Sequence, residues 1–303
     1  MDVPGLTPLT GGWSGDTFLA EAGGERTVVR IYTPGRRDDA APEIDAAVLR
    51  LVRLLVPVPE VLEVRRGSAA ADQPGLLVTA YLPGQRGDLL LPDLDPAGLA
   101  TLGSRLGAIA ADLSGMPTLR PGRFLDAALT LGDFGVAADL PGFVADSLTG
   151  PGWPPDRLAS LTRLAEQAQA LSDTVGRSCL VHSDLNPKNL LVDPLTLTVT
   201  GVLDWEFAHS GHPFTDLGNL LRFDRAPAYA DAVLAAYCER RGTDPREALD
   251  LARAADLWAL VDLAARAGDN PVADRAAGLL TAIADSGDLH AVPAGWTHCG
   301  DPA

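Results

Sequence analysis

The chain has very little lysine, cysteine and methionine, and it has far fewer basic than acidic residues. Its 303 residues include 24 lysines and arginines against 40 aspartates and glutamates, which gives a net charge of -16. Such a surface repels the phosphate backbone of nucleic acids, so we expect no nucleic-acid partner. The three cysteines, Cys179, Cys238 and Cys299, are too few and too scattered for a disulfide framework or a zinc site.

Long apolar runs are missing as well. No stretch is both long and uncharged enough to cross a bilayer, and the first ten residues lack the basic and apolar regions of a signal peptide. Because the few cysteines also fit a reducing compartment, we expect a cytoplasmic protein with no membrane partner. A length of 303 residues favours two lobes over one core. The composition leaves the oligomeric state open.

One short segment concentrates residue types that are rare elsewhere in the chain. The single lysine, Lys188, and two of the four asparagines, Asn186 and Asn189, fall within the stretch NPKN. Asp184 precedes this stretch, and Asp204 follows two short β-rich runs. Two carboxylates and a carboxamide on the loops of a small hairpin can hold a divalent cation and a phosphate, which is the set that phosphoryl transfer needs. An ordinary Asn- and Pro-rich turn is the alternative, although a turn does not require the flanking aspartates.

The region before this segment divides into a β-rich part and a helical part. The first part is predicted to be a small antiparallel sheet with one helix, and we assign it to an N-terminal lobe at 1–82. A hairpin is predicted at AGGE, between two alternating runs. The predicted elements are strands at 16–22 and 26–32, a helix at 42–55, with Ile44, Val48, Leu51 and Leu55 on its apolar face, and strands at 60–66 and 75–82.

A connection that extends to about residue 86 leads into a mostly helical lobe at 87–303. Asp95 and Pro96 are typical of a helix start, and leucines then recur at helical spacing. Further helices are predicted from Asp156 to about Thr174 and from Asp244 onward. Residues 122–155 are rich in Gly, Pro and Phe, and we expect an irregular insertion with short helices there.

The order of these elements and the D-x4-N loop resemble the aminoglycoside phosphotransferase family, within the protein-kinase-like superfamily of small-molecule kinases. The resemblance implies an α+β, bilobal protein-kinase-like fold. It also implies that Asp184 is the catalytic carboxylate, which orients the acceptor hydroxyl and takes its proton, and that Asn189 and Asp204 bind Mg²⁺. His182 resembles a loop histidine with a structural role, and Asp216 resembles the aspartate that supports the catalytic loop.

The same resemblance assigns nucleotide contacts in the N-terminal lobe. The stretch GGWSGDTF resembles a turn that covers the nucleotide phosphates, with Gly12, Ser14 and Gly15 as its binding residues. The segment that contains Ala80 and Leu82 resembles the connection whose backbone groups contact a purine base. A glycine-rich hairpin turn is weak evidence by itself, because any tight turn uses glycine.

Arg30 is the cation that the resemblance directs at the α- and β-phosphates, where protein kinases use lysine. The helix register relative to Leu49 favours Asp45 as the acidic partner of Arg30 on the following helix, with Glu43 as the second choice. Residues two apart lie on different helix faces, so only one of the two can point at the cleft. Lys188 is expected either to contact the transferring phosphate or acceptor, or to be an ordinary surface lysine.

The candidate residues for binding the acceptor lie after Asp204. Acidic residues after Asp204 are the candidates for a pocket that binds a cationic molecule: Glu206, Asp224 and Asp262, with Asp256 and the walls Trp205 and Trp258 as further possibilities. We therefore expect a phosphotransferase that uses ATP or GTP and Mg²⁺ and that phosphorylates a hydroxyl of a small, cationic molecule, such as an aminoglycoside or another amine. The alternative is a catalytically silent nucleotide-binding pseudokinase or regulatory module.

Overall fold

The N-terminal part of the protein is an antiparallel sheet with one helix. The computed structural model describes residues 6–9, 16–135, 139–150 and 152–296. Within these ranges the elements of the N-terminal part are β1 Leu6–Pro8, β2 Asp16–Ala22, β3 Glu25–Tyr32, α1 Ala41–Val52, β4 Val61–Arg65 and β5 Gly75–Ala80. The strands are ordered β1-β2-β3-β5-β4, and α1 packs against β4 and β5.

The turn between β2 and β3 is the one that the sequence predicts. Gly23 and Gly24 both adopt positive φ angles, of 61° and 85°. Tight two-residue hairpins need such angles at both central positions, and glycine takes them without a Cβ clash. The prediction of a hairpin at AGGE is therefore confirmed by the backbone geometry.

Helix α1 is shorter than predicted, and of the four residues on its predicted apolar face only Val48 is buried. It ends at Val52 rather than near residue 55. Leu51 and Leu55 were predicted to be apolar contacts, but they are 46% and 37% exposed. Asp45 and Leu49 are buried instead, so the helix turns a carboxylate toward the interior of the protein.

The second part is mostly helical, with two small sheets. Its elements, in chain order, are β6 Gln85–Arg86, α2 Gly87–Leu90, α3 Pro96–Ser114, β7 Pro117–Thr118, β8 Gly122–Phe124, β9 Leu131–Gly132, α4 Leu140–Ser147, α5 Pro155–Ser172, β10 Ser178–Val181, β11 Leu190–Val192, β12 Val199–Val202, β13 His209–Gly211, α6 Thr215–Leu221, α7 Pro227–Arg241, α8 Pro245–Ala264 and α9 Pro271–Ser286. One sheet is ordered β7-β10-β13-β8-β9, and the other is ordered β12-β11-β6. Among the described residues, no helix is long and apolar enough to cross a membrane.

Two apolar cores hold these elements together. One core joins α1 and β5 to α3 and α7, and the other lies between α4, α5, α8 and α9. Helices α3 and α7 pack closely, because Gly103 and Gly107 lie directly against the backbone of α7. A Cβ at Gly107 would lie 2.1 Å from the carbonyl oxygen of Val233, so only glycine fits at this contact.

The connection between the two parts lies against the hairpin β11–β12. Strand β6 pairs with β11, with Arg86 opposite Leu191. Thr200 on β12 donates its hydroxyl to the carbonyl oxygen of Pro83 at 2.6 Å. The segment that leaves the N-terminal sheet is therefore fixed next to the loops that carry Asn189 and Asp204.

Candidate active site

The loop after β10 is held from behind by Asp216 on α6. Its carboxylate accepts the backbone N–H of His182 at 2.9 Å and that of Ser183 at 2.8 Å. Ser183 has a φ of 67°, which is unusual for a residue with a side chain, so these two hydrogen bonds stabilise a strained turn. Burial raises the pKa of Asp216, while His182 and the two N–H groups act in the opposite direction.

His182 is fully buried and uses both ring nitrogens within the site. Its Nε2 lies 2.8 Å from the carbonyl oxygen of Leu203, and its Nδ1 accepts the backbone N–H of Asp184 at 3.2 Å. The ring also packs against Trp205, with ring centroids 4.5 Å apart. This network assigns the proton to Nε2. His182 thus connects the loop of Asp184 to the segment of Asp204.

Asp184 has each carboxylate oxygen fixed by an asparagine. The amide of Asn186 donates to Oδ1 and that of Asn189 donates to Oδ2, both at 2.7 Å. Both amides also reach the carbonyl oxygen of Asp184, at 3.1 and 2.9 Å. Asn186 accepts the N–H of Lys188 through its own Oδ1, which fixes the orientation of its amide. Each oxygen of Asp184 keeps a further lone pair with which it can accept a hydroxyl proton.

Asn189 and Asp204 turn oxygen atoms toward the space between the two parts of the protein. Within the described residues, no donor bonds to Oδ1 of Asn189, since its Nδ2 is the atom directed at Asp184. Asp204 follows β12 with a φ of 63°, and its side chain is 30% exposed. The N–H of Leu203 donates to the carbonyl oxygen of Asn189 at 2.8 Å, which keeps the two residues side by side. An amide oxygen and a carboxylate are hard donors that fit Mg²⁺.

These oxygens line a cavity of about 380 Å³ between the N-terminal sheet and the hairpin β11–β12. The volume is within the range of small-molecule sites. Apolar side chains from both parts form its walls, among them Val28, Leu77 and Leu191. The cavity is also lined by most of the predicted nucleotide and metal residues, namely Arg30, Asp45, Ala80, Leu82, Lys188, Asn189 and Asp204. The glycine-rich turn with Gly12, Ser14 and Gly15 lies outside the described residues.

The backbone N–H groups at the end of β5 and just after it differ in whether a carbonyl oxygen accepts them. The N–H of Ala80 donates to the carbonyl oxygen of Glu60, and that of Tyr81 donates to Arg26. Among the described residues, none accepts the N–H of Leu82. The N–H of Ala80 is therefore already satisfied, and Leu82 provides the N–H that can bind a ligand in the cavity.

Arg30 does not pair with Asp45, which differs from the prediction. Its NH1 atom lies 3.0 Å from Asp204, and its NH2 atom lies 2.6 Å from Glu206. Burial lowers the pKa of Arg30, but neighbouring acidic groups, including Asp204 and Glu206, raise it by more, so the guanidinium stays charged. Asp45 is engaged by Arg37 instead. The reason is geometric, because Arg37 in the loop before α1 reaches this carboxylate directly.

Both carboxylate oxygens of Asp45 are bonded. Arg37 donates to them at 2.8 and 3.1 Å, and the hydroxyl of Tyr32 donates to one of them at 2.7 Å. Glu43, the second choice, pairs with Arg66 at the protein surface at 3.0 Å. The acidic partner of Arg30 therefore comes from the second part of the protein and not from α1.

The predicted acceptor residues do not form one pocket of free acids. The side chain of Glu206 is 8% exposed and bonds to Arg30, a residue of the cavity wall. Asp262 is on the surface, where its side chain is 60% exposed and pairs with Arg266 one turn later. Asp224 is buried in the loop between α6 and α7.

Asp256, a further acceptor candidate, is also engaged. It forms a buried ion pair with Arg222 and accepts the amide of Asn219 at 3.0 Å. The two tryptophans differ. Trp205 is buried under His182, with its Nε1 donating to Val202, whereas Trp258 packs on Phe143.

The sequence analysis assigned no role to three residues of the site, namely Asn186, Asn219 and Arg37. Asn219 accepts the N–H of Leu185 at 3.2 Å and so holds the loop that carries Asp184 at a second point. Its position three residues after Asp216, on the same helix face, is the signal that could have identified it. Arg37 has no such signal, because it lies in a loop whose conformation the sequence does not predict.

The chain is similar to known proteins in sequence and in fold. The description of the family that matches residues 5–251 is "Phosphotransferase enzyme family". The microcompartment-associated aminopropanol kinase has a similar structure, with a TM-score of 0.66 and 21% identity over 94% of each chain. A thermostable mutant of aminoglycoside phosphotransferase APH(4)-Ia, in ternary complex with ADP and hygromycin B, gives a TM-score of 0.63 and 18% identity over 93% of this chain and 94% of that chain.

A shorter similarity links the chain to a mammalian protein. Acyl-CoA dehydrogenase family member 11 of Mus musculus is 33% identical over 93 residues, and that of Rattus norvegicus is 32% identical over the same length. The matched segment is 25% of this chain and only 12% of those proteins. The structural similarities confirm the α+β, kinase-like fold that the sequence predicted. Since the family match extends over most of the chain, the protein belongs to the phosphotransferase enzyme family.

Proposed function

We propose that this protein transfers the terminal phosphate of ATP or GTP to a hydroxyl group of a small molecule in a Mg²⁺-dependent reaction. The observation that carries the proposal is that Asn189 bonds to the carboxylate of Asp184 and also lines the same cavity as Asp204 and Arg30. Phosphoryl transfer depends mainly on positioning and on charge stabilisation, and this set supplies the groups for both.

Asp184 would orient the acceptor hydroxyl and take its proton. Its two amide hydrogen bonds, from Asn186 and Asn189, hold the carboxylate in one orientation before the acceptor arrives. That orientation places the base without reorganisation at the moment of reaction. Asn189 connects the base directly to the metal side of the site, because the same side chain carries the oxygen for Mg²⁺.

The nucleotide would be held by residues from both parts. Asn189 and Asp204 would bind Mg²⁺, which neutralises phosphate charge when it is bound. Arg30 would bind phosphate oxygens, and the N–H of Leu82 would bind the base between apolar walls. Lys188 lines the same cavity and makes no side-chain hydrogen bond or ion pair to the described residues, so we assign it to the transferred phosphate.

The acceptor is a small molecule with a hydroxyl group. The aminopropanol kinase and the aminoglycoside phosphotransferase that resemble this chain suggest an amine-bearing alcohol. The acidic candidates in this chain, however, lie beside arginines: Glu206 beside Arg30, Asp256 beside Arg222 and Asp262 beside Arg266. These three carboxylates therefore supply little net negative charge for a cation. A screen must include neutral alcohols next to amines.

The test is a screen of hydroxyl compounds with ATP or GTP and Mg²⁺, read by the mass increase of one phosphate. Each amino alcohol or amino sugar is paired with its neutral analogue, so that the screen also reports the charge preference. Asp184→Asn is expected to abolish transfer while nucleotide binding, measured by calorimetry, is retained. Asp231→Asn, on the exposed face of α7, is the matched control and should behave as the wild type.

Two results would contradict the proposal. One is a wild-type protein that binds neither ATP nor GTP in the presence of Mg²⁺. The other is an Asp184→Asn variant that transfers phosphate at the wild-type rate. Nucleotide binding without transfer to any member of a broad panel would favour the regulatory alternative.

A further inference from the structure

Five charged side chains form one connected group, which we call the cleft charge network: Arg30, Arg37, Asp45, Asp204 and Glu206. The first, third and fourth of these line the cavity. Negative and positive side chains alternate along this group. Arg30 lies between Asp204 and Glu206, at 3.0 and 2.6 Å. Arg37 lies between Glu206, at 3.7 Å, and Asp45, at 2.8 Å. Glu206 is therefore the link between the two arginines.

The members of the network differ in how freely they can exchange partners. The side chains of Asp45 and Glu206 are only 6% and 8% exposed, whereas that of Asp204 is 30% exposed. A buried carboxylate loses more when its cationic partner leaves than an exposed one does. Of the two acids on Arg30, Glu206 is thus the fixed partner and Asp204 is the one that can turn to a metal ion.

Asp45 cannot take the place of Glu206 in its present arrangement. Both of its oxygens are bonded by Arg37, and one of them is also bonded by Tyr32. Arg37 additionally donates to the carbonyl oxygen of Glu206 at 3.3 Å. The helix α1 is consequently tied to the Glu206 turn through Arg37, and only indirectly to Arg30.

We propose that Glu206 is a positioning residue that holds Arg30 in the nucleotide cavity, with Arg37 connecting it to Asp45 on α1. The inference depends on the proposed function, because it concerns how the nucleotide phosphates are met. When Asp204 binds Mg²⁺, the NH1 atom of Arg30 would exchange its ion pair with Asp204 for one with a phosphate oxygen. The NH2 atom stays on Glu206, which keeps the guanidinium at a fixed place.

The test measures equilibrium binding of Mg·AMP-PNP and, separately, of adenosine. Glu206→Gln keeps the shape of the side chain and removes its charge. It is expected to weaken Mg·AMP-PNP binding by about 10- to 100-fold, the range for one charge-assisted hydrogen bond. Adenosine binding should not change, since the base pocket is not touched. Glu239→Gln, on the exposed end of α7, is the matched control.

A double variant makes the test independent of general damage to the fold. If Glu206 acts through Arg30, then Glu206→Gln should have little further effect in an Arg30→Ala background. Asp45→Asn should weaken Mg·AMP-PNP binding less than Glu206→Gln does, because it reaches Arg30 only through Arg37. Each variant is checked by its thermal unfolding midpoint.

The possible failures can be told apart. A wild-type protein that does not bind Mg·AMP-PNP would overturn the proposed function and this inference together. Wild-type binding with unchanged affinity in Glu206→Gln would overturn the inference alone. So would additive effects in the double variant, or a Glu206→Gln protein that loses only acceptor affinity, which would return Glu206 to the acceptor site.

Discussion

The buried ion pair between Arg222 and Asp256 allows a quantitative test of how the site is supported. Both side chains are 5% exposed. Arg222 donates to both oxygens of Asp256 through Nε, at 3.1 and 3.0 Å, and to one of them through NH2, at 2.6 Å. Asn219 donates to the same carboxylate and also accepts the N–H of Leu185 in the catalytic loop. The pair therefore supports the loop that carries Asp184 through Asn219.

The expected magnitudes differ sharply between the single and double replacements. Asp256→Leu leaves a buried guanidinium without its counter-ion, which should lower the free energy of unfolding by about 3–5 kcal/mol, and Arg222→Met should cost a similar amount. Replacing both removes the buried charges together. What remains is the unsatisfied amide of Asn219, which costs about 1–3 kcal/mol. The sum of the two single losses in the free energy of unfolding should thus exceed the loss in the double variant by several kcal/mol.

The assay is urea unfolding of the four proteins, followed by circular dichroism at equilibrium. The exposed pair Asp262–Arg266 serves as the control cycle, since solvent screening makes its coupling small. If the Arg222 and Asp256 replacements are additive to within about 0.5 kcal/mol, the two residues act independently and the reasoning is refuted. A double variant that is stable and still phosphorylates its acceptor would also exclude Asp256 from acceptor binding.

Three further predictions follow from single positions. Asp216→Asn removes the charged acceptor of two backbone N–H groups and is expected to lower the free energy of unfolding by about 2–4 kcal/mol and to abolish transfer, measured by urea unfolding and the mass assay. Gly107→Ala places a Cβ 2.1 Å from a carbonyl oxygen of α7 and should destabilise by about 1–3 kcal/mol, whereas Gly278→Ala on α9, where a Cβ meets nothing, should be neutral or stabilising. Burial lowers the pKa of His212 to about 4, so the unfolded chain binds the proton more tightly than the folded protein does. The free energy of unfolding should therefore fall by roughly 3 kcal/mol at most as the pH drops from about 6.5 to about 4. A His212→Gln variant should lack this part of the pH dependence. Three results would each contradict the corresponding argument. They are a His212→Gln variant whose stability depends on pH as that of the wild type does, an Asp216→Asn variant of wild-type stability, and a Gly107→Ala variant of wild-type stability.

Local signals in the sequence predicted the elements that are governed by local rules. The hairpin at Gly23 and Gly24 follows from the backbone freedom of glycine. Helix α3 begins as predicted, because the side chain of Asp95 accepts the N–H of Gly98 at 2.7 Å and Pro96 fits the first turn. In the region predicted to be irregular, the structure has α4 and also the short strands β8 and β9, whose two or three residues are too few to produce a pattern.

Partner choice between distant residues could not be predicted in this way. Arg30 and Glu206 are 176 positions apart, and their contact depends on how the two parts of the protein come together. The sequence identified both residues as functional candidates but assigned Glu206 to the acceptor and Asp45 to Arg30. The Asp45 assignment was wrong because Arg37, which bonds to Asp45, lies in a loop, and loop conformation is set by tertiary contacts rather than by periodicity.

The strained residues next to Asp184 and at Asp204 explain why polar groups support these two loops. Ser183 and Asp204 both adopt a left-handed backbone, with φ angles of 67° and 63°, and such conformations cost of order 1–3 kcal/mol each for a residue with a Cβ. Asp216 offsets the cost at Ser183 through a hydrogen bond to its N–H. His182 restrains the segment that leads to Asp204, because it bonds to the carbonyl oxygen of Leu203. The backbone therefore adopts left-handed conformations at or next to the two carboxylates that the proposed chemistry uses. The polar side chains behind these loops stabilise those conformations.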